Sequence, residues 1–317
     1  MDLSVIVPVY NEEENVEPIV EEIGAALGGM GKSFEVIVVD DGSRDDTFPI
    51  LCRLHQQRPW LKIIRFKRNF GQTAAIAAGL AHARGSIVVP MDGDGQNDPE
   101  DIPGLVQKLD EGYDLVSGWR YPRQDPFWSR RLPSEIANWV ISWITGVKLH
   151  DYGCTLKAMR EEIAKDLKLY GEMHRFIPAL AKERGASVAE VRVNHRPRLR
   201  GRSKYGLSRT FRVLLDLVTV QFLNQYATRP LHVFGVIGLG SGLAGLLIGV
   251  YLSLQKILYG ADIGGRPLLL LAVLLIVISF QFFSIGLLGE MLARTYHESQ
   301  SKTIYVIRDI VEQPGDT

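Results

Sequence analysis

Acidic and amide side chains that follow the apolar run 86–90 have the types and spacing of a divalent-cation site. Asp92 and Asp94 stand one residue apart, and Gln96 follows them. Their oxygens are hard ligands, which favour Mg²⁺ or Mn²⁺ over zinc or copper. Such a cation would stabilise a diphosphate leaving group, which carries extra negative charge when its bond breaks. An acidic turn is the ordinary alternative, but the preceding strand and the helix start at Asp98–Pro99 favour a metal site.

Short β-branched runs alternate with helical stretches over residues 1–117, which predicts a parallel sheet with helices on both faces. Asn11 and Glu14 predict a capped start for the first helix, and Asp98–Pro99 predicts the start of the fourth. The predicted strands are Val5–Val9, Glu35–Val39, Lys62–Phe66, Ile87–Met91 and Asp114–Ser117, and the predicted helices are 12–28, 46–58, 72–84 and 99–111.

Three polar clusters fall at the carboxyl ends of these strands, where ligands bind in open α/β sheets. They are residues 8–12, residues 40–43 and the acidic turn 92–94. In the second cluster, a carboxylate could accept a hydrogen bond from a base N–H, and Gly42 would permit close backbone approach. A solvated turn is the alternative for residues 40–43.

The C-terminal half carries two long apolar stretches, 231–254 and 268–289, without Asp, Glu, Lys or Arg. Each is long enough for a helix that crosses a hydrocarbon core of roughly 30 Å. From Arg192 to Arg229 there are nine Lys or Arg residues against one acid, which predicts a cytoplasmic side for both ends of the hairpin. Lys+Arg and Asp+Glu both total 36, so net charge indicates no nucleic-acid partner.

These changes in hydrophobicity and charge along the chain predict its domain organisation. We expect a catalytic domain over 1–202, a juxtamembrane amphipathic helix over 203–230, a hairpin over 231–289 and a cytoplasmic tail over 290–317. Within the catalytic domain, we predict that 134–149 forms a helix in the membrane interface, with a core helix as the alternative. In the tail, 303–311 alternates like a strand that could join its own sheet or a neighbour's. We also expect no signal peptide, and free thiols at the two cysteines, Cys52 and Cys154.

Several motifs together resemble those of family 2 glycosyltransferases with the GT-A fold, a Rossmann-like α/β fold. These motifs are Val7–Glu12, Val39–Ser43, Asn69–Gln72 and Met91–Pro99. The resemblance narrows to polyprenyl-phosphate glycosyltransferases, such as dolichyl-phosphate mannose synthases and bactoprenol glucosyltransferases. The features that narrow it are Asp151–Cys154, Gly171–Arg175, Arg200–Gly206 and the two apolar stretches.

The resemblance implies roles for the residues that match the motifs. Residues expected to line the nucleotide pocket are Pro8, Tyr10, Glu12, Asp40, Asp41 and Asp92. Asp92, Asp94 and Gln96 would hold Mg²⁺ or Mn²⁺ and the diphosphate. Cationic and hydroxyl groups for the lipid phosphate and the diphosphate would be Arg120, Arg130, Ser134, Arg202 and Lys204. Asp151 matches the family's candidate base, and Glu172 is the second candidate.

The role of Asp151 depends on the acceptor. A phosphate monoester has a second pKa of about 6, so it is mostly deprotonated near neutral pH and needs no strong base. We therefore hypothesise that Asp151 positions the acceptor site more than it removes a proton. Direct attack by the phosphate on the anomeric carbon implies inversion of configuration.

The resemblance implies transfer of a hexose, with glucose from UDP-glucose expected, to undecaprenyl or another polyprenyl phosphate at the cytoplasmic face of the inner or plasma membrane. A processive polysaccharide synthase is one alternative, which two spans and the lack of a Gln-x-x-Arg-Trp motif disfavour. A non-catalytic nucleotide-binding scaffold is another, which the intact acidic set disfavours. The sequence leaves the base, the sugar, the prenyl length and a homo-oligomeric state open.

Overall fold

A computed structural model describes residues 1–121, 138, 141–142, 145–169, 173–196, 230–260, 262–263, 265–299 and 304–312. The chain divides into two compact units, Met1–Val218 with Thr303–Thr317, and Thr219–Lys302. The predicted juxtamembrane helix 203–230 lies outside the described residues except at its last position, and the interface helix 134–149 is described only in part. Both remain predictions.

The first unit is built on one mixed sheet flanked by helices. Its strands are β1 (Leu3–Val9), β2 (Phe34–Asp40), β3 (Leu61–Phe66), β4 (Ile87–Pro90), β5 (Leu115–Arg120), β6 (Lys157–Arg160), β7 (Val188–Val193) and β8 (Ile307–Val311). Its helices are α1 (Val16–Gly28), α2 (Thr47–Gln57), α3 (Gln72–His82), α4 (Ile102–Asp110), α5 (Glu161–Asp166) and α6 (Ile177–Glu183), with 3₁₀ turns at Pro99–Asp101 and Met173–Phe176. The strand order is β7-β5-β6-β4-β1-β2-β3-β8.

The parallel part of the sheet is the part that the β-branched runs predict. β4, β1, β2 and β3 pair in parallel, as do β5 and β7. The strands that follow residue 120 make the whole sheet mixed: β6 pairs antiparallel with β4 and β5, and β8 pairs antiparallel with β3. The central strands are buried along nearly their whole length, as expected for strands covered by helices on both faces.

Helix starts show one wrong and one confirmed prediction. α1 begins at Val16 with Asn15 at the N-cap, and not near Asn11. Asn11 has a φ of 51° and instead bonds the next cluster: its N–H donates to Ser43 Oγ at 2.9 Å, and its Oδ1 accepts from Arg44 N at 2.9 Å. Asp98 does cap the turn that leads into α4, because its Oδ1 accepts from Glu100 N at 3.1 Å.

The C-terminal tail returns to the first unit. β8 adds to the free edge of β3 in the chain's own sheet, and it is shorter than the predicted strand 303–311 because residues 304–306 are not in strand conformation. The partly described segment 134–149 also contacts this unit, since Asn138 Nδ2 donates to His150 O at 2.7 Å and Ile141 is buried. The position of that segment in a membrane interface stays a prediction.

The second unit contains two long helices, α7 (Pro230–Tyr259) and α8 (Pro267–Ser299). Within them, 234–259 and 267–289 are long and apolar enough to cross a membrane. Only 17% and 11% of their most apolar 18-residue stretches are buried. A core helix of a soluble protein would be mostly buried. Because α7 continues to Tyr259, the connection between the helices is shorter than the 13 residues that separate the two apolar stretches in the sequence.

Gly242 and Gly245 of α7 face the other helix of the hairpin. A Cβ at Gly242 would lie 2.6 Å from Ser279 Oγ, and one at Gly245 would lie 2.8 Å from Ala272 O. Such distances are too short for a real Cβ, so the small residues allow the two helices to approach closely. A Cβ at Gly249 would meet nothing within 4 Å, so this glycine takes no part in the contact.

Candidate active site

The acidic turn lies at the carboxyl end of β4, packed against the end of β1. A Cβ at Gly93 would lie 2.7 Å from Val9 Cγ1, so glycine is required for this packing. Asp92 Oδ1 accepts a hydrogen bond from Gln72 Nε2 at 2.6 Å, and Asp94 Oδ1 accepts from Gln96 N at 3.1 Å. The turn is therefore held in one conformation with both carboxylates at the edge of the sheet.

The charge on Asp92 is unfavourable in the absence of a cation. Burial and then the nearby charge of Asp94 raise the pKa of Asp92 to about 6, although Thr155, Arg120 and Lys157 oppose this rise. A divalent cation would offset the repulsion between the two carboxylates. Its binding would therefore favour the ionised form of both.

The metal site would not be complete from protein side chains. Over the part of the chain that the structure describes, no group of three or more His, Cys, Asp or Glu residues could hold a metal. Mg²⁺ is typically bound through one or two carboxylates together with substrate phosphates and water. Asp92 and Asp94 fit that pattern, with Gln96 half-buried beside them.

The first two polar clusters are bonded to each other at the ends of β1 and β2. Asp41 N donates to Val9 O at 2.9 Å, and Glu12 N donates to Thr47 Oγ1 at 2.9 Å. Glu12 Oε2 also accepts from Asn15 Nδ2 at 2.7 Å. Pro8 and Tyr10, like Glu12, are half-buried, so these three predicted nucleotide contacts remain at least partly accessible.

Asp40, the last residue of β2, is buried at the turn 40–43. The residue has no exposed surface, and its Oδ1 accepts from Ser43 N at 2.8 Å. Arg65 Nε lies 3.5 Å from the other oxygen, and burial raises the pKa of this carboxyl. In this structure Asp40 holds the turn 40–43, and its contact with a nucleotide base stays a prediction.

Asp41 binds the segment 67–72, called here the donor loop. Its two carboxylate oxygens accept from Phe70 N at 2.6 Å and from Gly71 N at 2.8 Å. Burial raises the pKa of Asp41 to about 6, and these two backbone hydrogen bonds oppose that effect. The loop also packs on Gly42, where φ is +72° and a Cβ would lie 2.6 Å from the carbonyl carbon of Arg68. Asp41 thus positions the donor loop.

The donor loop carries a site residue to which the sequence analysis assigned no role. Gln72, at its end, donates to Asp92 and so connects the loop to the acidic turn. The motif Asn69–Gln72 was the available signal. His174 contacts the residue that follows Gln72, since its Nδ1 lies 2.7 Å from Thr73 Oγ1 in α3. Burial, followed by the charge of Arg175, places the pKa of His174 well below its ordinary value, so it is neutral near pH 7.

Asp151 and Arg120 form a bidentate ion pair next to the acidic turn. Arg120 Nε donates to Asp151 Oδ2 at 2.7 Å, and Nη2 donates to Oδ1 at 2.9 Å. Burial alone would lower the pKa of Arg120, but the carboxylate of Asp151 raises it above its ordinary value. Gly153 N also donates to Asp151 Oδ1 at 3.0 Å. Both oxygens of Asp151 are therefore engaged in holding the guanidinium and the following turn.

Lys157 adds a cation that is buried more deeply than Arg120 and that the sequence does not single out. Its side chain is 1% exposed, its Nζ donates to Cys154 O, and burial lowers its pKa. Nothing in its short strand, Lys-Ala-Met-Arg, distinguishes it from a surface lysine. Cys154 is a free buried thiol with a pKa raised by burial to about 11, and Cys52 is also free, as predicted.

The remaining predicted site residues lie outside the described residues. They are Glu172, Arg130, Ser134, Arg202 and Lys204. Their assignments stay predictions.

The chain is similar to known proteins over most of its length. The family model "Glycosyl transferase family 2" matches residues 4–178. Dodecaprenyl-phosphate galacturonate synthase of Rhizobium johnstonii is 47% identical over 98% of this chain and 94% of its own. Undecaprenyl-phosphate 4-deoxy-4-formamido-L-arabinose transferase of Shewanella sediminis is 38% identical over 98% of this chain and 92% of its own.

A solved structure shows the same fold. Glucosyl-3-phosphoglycerate synthase from Mycobacterium tuberculosis, crystallised with Mn²⁺ and UDP-glucose, superposes with a TM-score of 0.56 at 22% identity. The match covers 69% of this chain and 78% of that one. The GT-A fold and the resemblance to polyprenyl-phosphate glycosyltransferases are both confirmed. The chain belongs to family 2 of the glycosyltransferases.

Proposed function

We propose that this enzyme transfers one sugar from a nucleoside-diphosphate donor to the phosphate of a polyprenyl phosphate at a membrane surface. The observation that carries the proposal is the proximity of two sites of opposite charge. The acidic turn at Asp92 suits a cation-bound diphosphate, and Arg120 is near enough for its charge to lower the pKa of Asp92. A donor diphosphate and an anionic acceptor could therefore meet there.

The acceptor phosphate would attack the anomeric carbon directly. A phosphate oxygen forms the new bond to that carbon while the bond to the donor diphosphate breaks, which yields a glycosyl phosphate lipid and a nucleoside diphosphate. A cation on Asp92 and Asp94 would stabilise the negative charge of the leaving diphosphate. Asp151 holds Nε and Nη2 of Arg120, so that Nη1 is available for the acceptor phosphate. No protein base is needed, because the phosphate is already ionised.

The order of the strands supports a hairpin that enters and leaves the membrane on one side. β3 precedes both apolar helices in the chain and β8 follows them, yet the two strands pair in one sheet. If both helices span a membrane, the chain crosses it twice and both ends of the hairpin lie on the same side. The basic segment 192–229 supports a cytoplasmic position for that side.

For the sugar, we propose galacturonate from a UDP-linked donor ahead of the glucose that the sequence analysis expects. The support is the name of the relative at 47% identity. The relative at 38% identity is named for 4-deoxy-4-formamido-L-arabinose, so this sugar is the next candidate. Mn²⁺ and Mg²⁺ both suit the carboxylate ligands.

A transfer assay tests the proposal. Purified full-length protein is incubated with undecaprenyl phosphate, with Mn²⁺ or Mg²⁺, and with each of these UDP-sugars or UDP-glucose in turn. Mass analysis of the lipid fraction should show one added galacturonate per lipid and none with Asp92→Asn. Glu111→Gln, at an exposed residue after α4, is the matched control. A single added glucose would restore the original prediction, products with several sugars would indicate a polymerase, and no glycolipid from any donor would overturn the proposal.

A further inference from the structure

The residues that follow the second apolar helix reach the donor loop. We call residues 304–312 the tail segment. Its strand β8 pairs with β3 from Ile63 opposite Val311 to Phe66 opposite Ile307. The pairing continues beyond the strand, since Lys67 N, at the start of the donor loop, donates to Val306 O at 3.0 Å. The tail segment thus contacts the donor loop where the loop leaves the sheet.

Aromatic rings extend this contact into the loop. Tyr305 is 7% exposed and stacks on Phe66, with ring centroids 5.1 Å apart and planes at 12°. Phe66 in turn meets Phe70 edge-to-face at 5.7 Å and 89°. Such pairs contribute beyond the area that they bury, and they restrict the orientation of each ring. The side chain of Phe70 is therefore positioned from the tail segment.

The other end of the tail segment is held by charge. Glu312 lies 2.6 Å from Lys62 Nζ and 3.5 Å from Arg84 Nη2. The hydrogen bond from Lys62 lowers the pKa of Glu312. This ion pair lies at the end of β3 opposite the donor loop, so it fixes the register of β8 without touching the loop.

Phe70 is the residue through which the tail segment would act on the site. Its backbone N–H, with that of Gly71, binds Asp41, and the loop ends at Gln72, which binds Asp92. We infer that the tail segment is part of the donor site and that Tyr305 is a positioning residue, which holds the donor loop so that Gln72 reaches Asp92. The inference deepens the proposed function and rests on it for the identity of the donor.

Hydrogen exchange in the full-length protein tests the inference without any substrate. Tyr305→Ala should speed amide exchange in peptides that cover 67–72, while those that cover β1 and β2 exchange as in the parent. Tyr305→Phe keeps the ring and should restore protection. Ile310→Ala, at an exposed side chain of β8, is the matched control and should leave the donor loop unchanged.

Binding of UDP with Mn²⁺, measured by calorimetry, gives the second readout. Tyr305→Ala should weaken UDP binding roughly 2- to 12-fold, which is what an aromatic pair contributes at 25 °C, and Tyr305→Phe should not. Unchanged exchange in 67–72 would overturn the inference, as would equal loosening of β3 and the donor loop. If the parent protein binds no UDP, the proposed donor fails, and the exchange result still decides the role of Tyr305.

Discussion

Replacing Asp151 by asparagine separates a positioning role from a proton-accepting role. The change keeps the size of the side chain but removes its charge and turns one acceptor toward Arg120 into a donor. Asp151 is 1% exposed at its side chain and Arg120 is 17% exposed. Loss of one partner from a buried pair costs about 3–5 kcal/mol. Because Arg120 partly reaches solvent, we expect a loss of unfolding free energy near the lower value.

The kinetic effect of Asp151→Asn should appear in the parameters measured for the acceptor. A charge-assisted hydrogen bond contributes about 1.5–3 kcal/mol, so a misdirected Arg120 should lower kcat/KM for polyprenyl phosphate about 10- to 100-fold. The rate should still rise with pH through about 6, since that rise belongs to ionisation of the acceptor phosphate and of Asp92 and not to Asp151. Steady-state kinetics against acceptor concentration, repeated from pH 5 to 8, measure both effects.

Two controls make the result interpretable. In a double-mutant cycle, Asp151→Asn combined with Arg120→Ala should cost little more than either change alone, because the two residues act as a unit. Asp114→Asn removes a carboxylate that binds Ser187 at the other end of β5, so it should affect stability and not acceptor kinetics. The reasoning is refuted if Asp151→Asn removes the pH dependence near 6 and leaves the acceptor KM unchanged.

Three further outcomes follow from the same geometry. Chelation of the divalent cation should abolish transfer. The affinity for Mn²⁺, measured by electron paramagnetic resonance, should fall below about pH 6, because the raised pKa of Asp92 lets protons compete with the cation. An affinity that stays constant to pH 5 would contradict this. Gly242→Leu should lower the thermal stability of the detergent-solubilised protein through its clash with Ser279, whereas Gly249→Leu should not; equal effects would contradict the glycine contact. Gln72→Leu should reduce kcat/KM for the donor roughly 10-fold or more by removal of the bond to Asp92, and a selective effect on the acceptor KM would argue against this role.

The core strands could be predicted because their signal is local. Runs such as Val36–Val39 are β-branched, apolar and bounded by polar turns, so strand propensity and burial agree. β6 had no such signal, since its four residues begin with lysine and end with arginine. It becomes a strand because β4 and β5 provide pairing partners on both sides. The start of α1 was misplaced because Asn11, a good capping residue, bonds Ser43 and Arg44 instead.

By itself, the sequence determined which chemistry the chain contains: two carboxylates one residue apart after a strand, a set of ordered motifs, and two apolar stretches of membrane length. These signals depend on residue type and on spacing within one element. The tertiary structure alone decided that Arg120 binds Asp151, that Asp40 is buried beneath its turn, and that the tail segment stacks Tyr305 on Phe66. Those contacts join residues far apart in the chain, and their geometry depends on how the strands are ordered in the sheet, which no local pattern encodes.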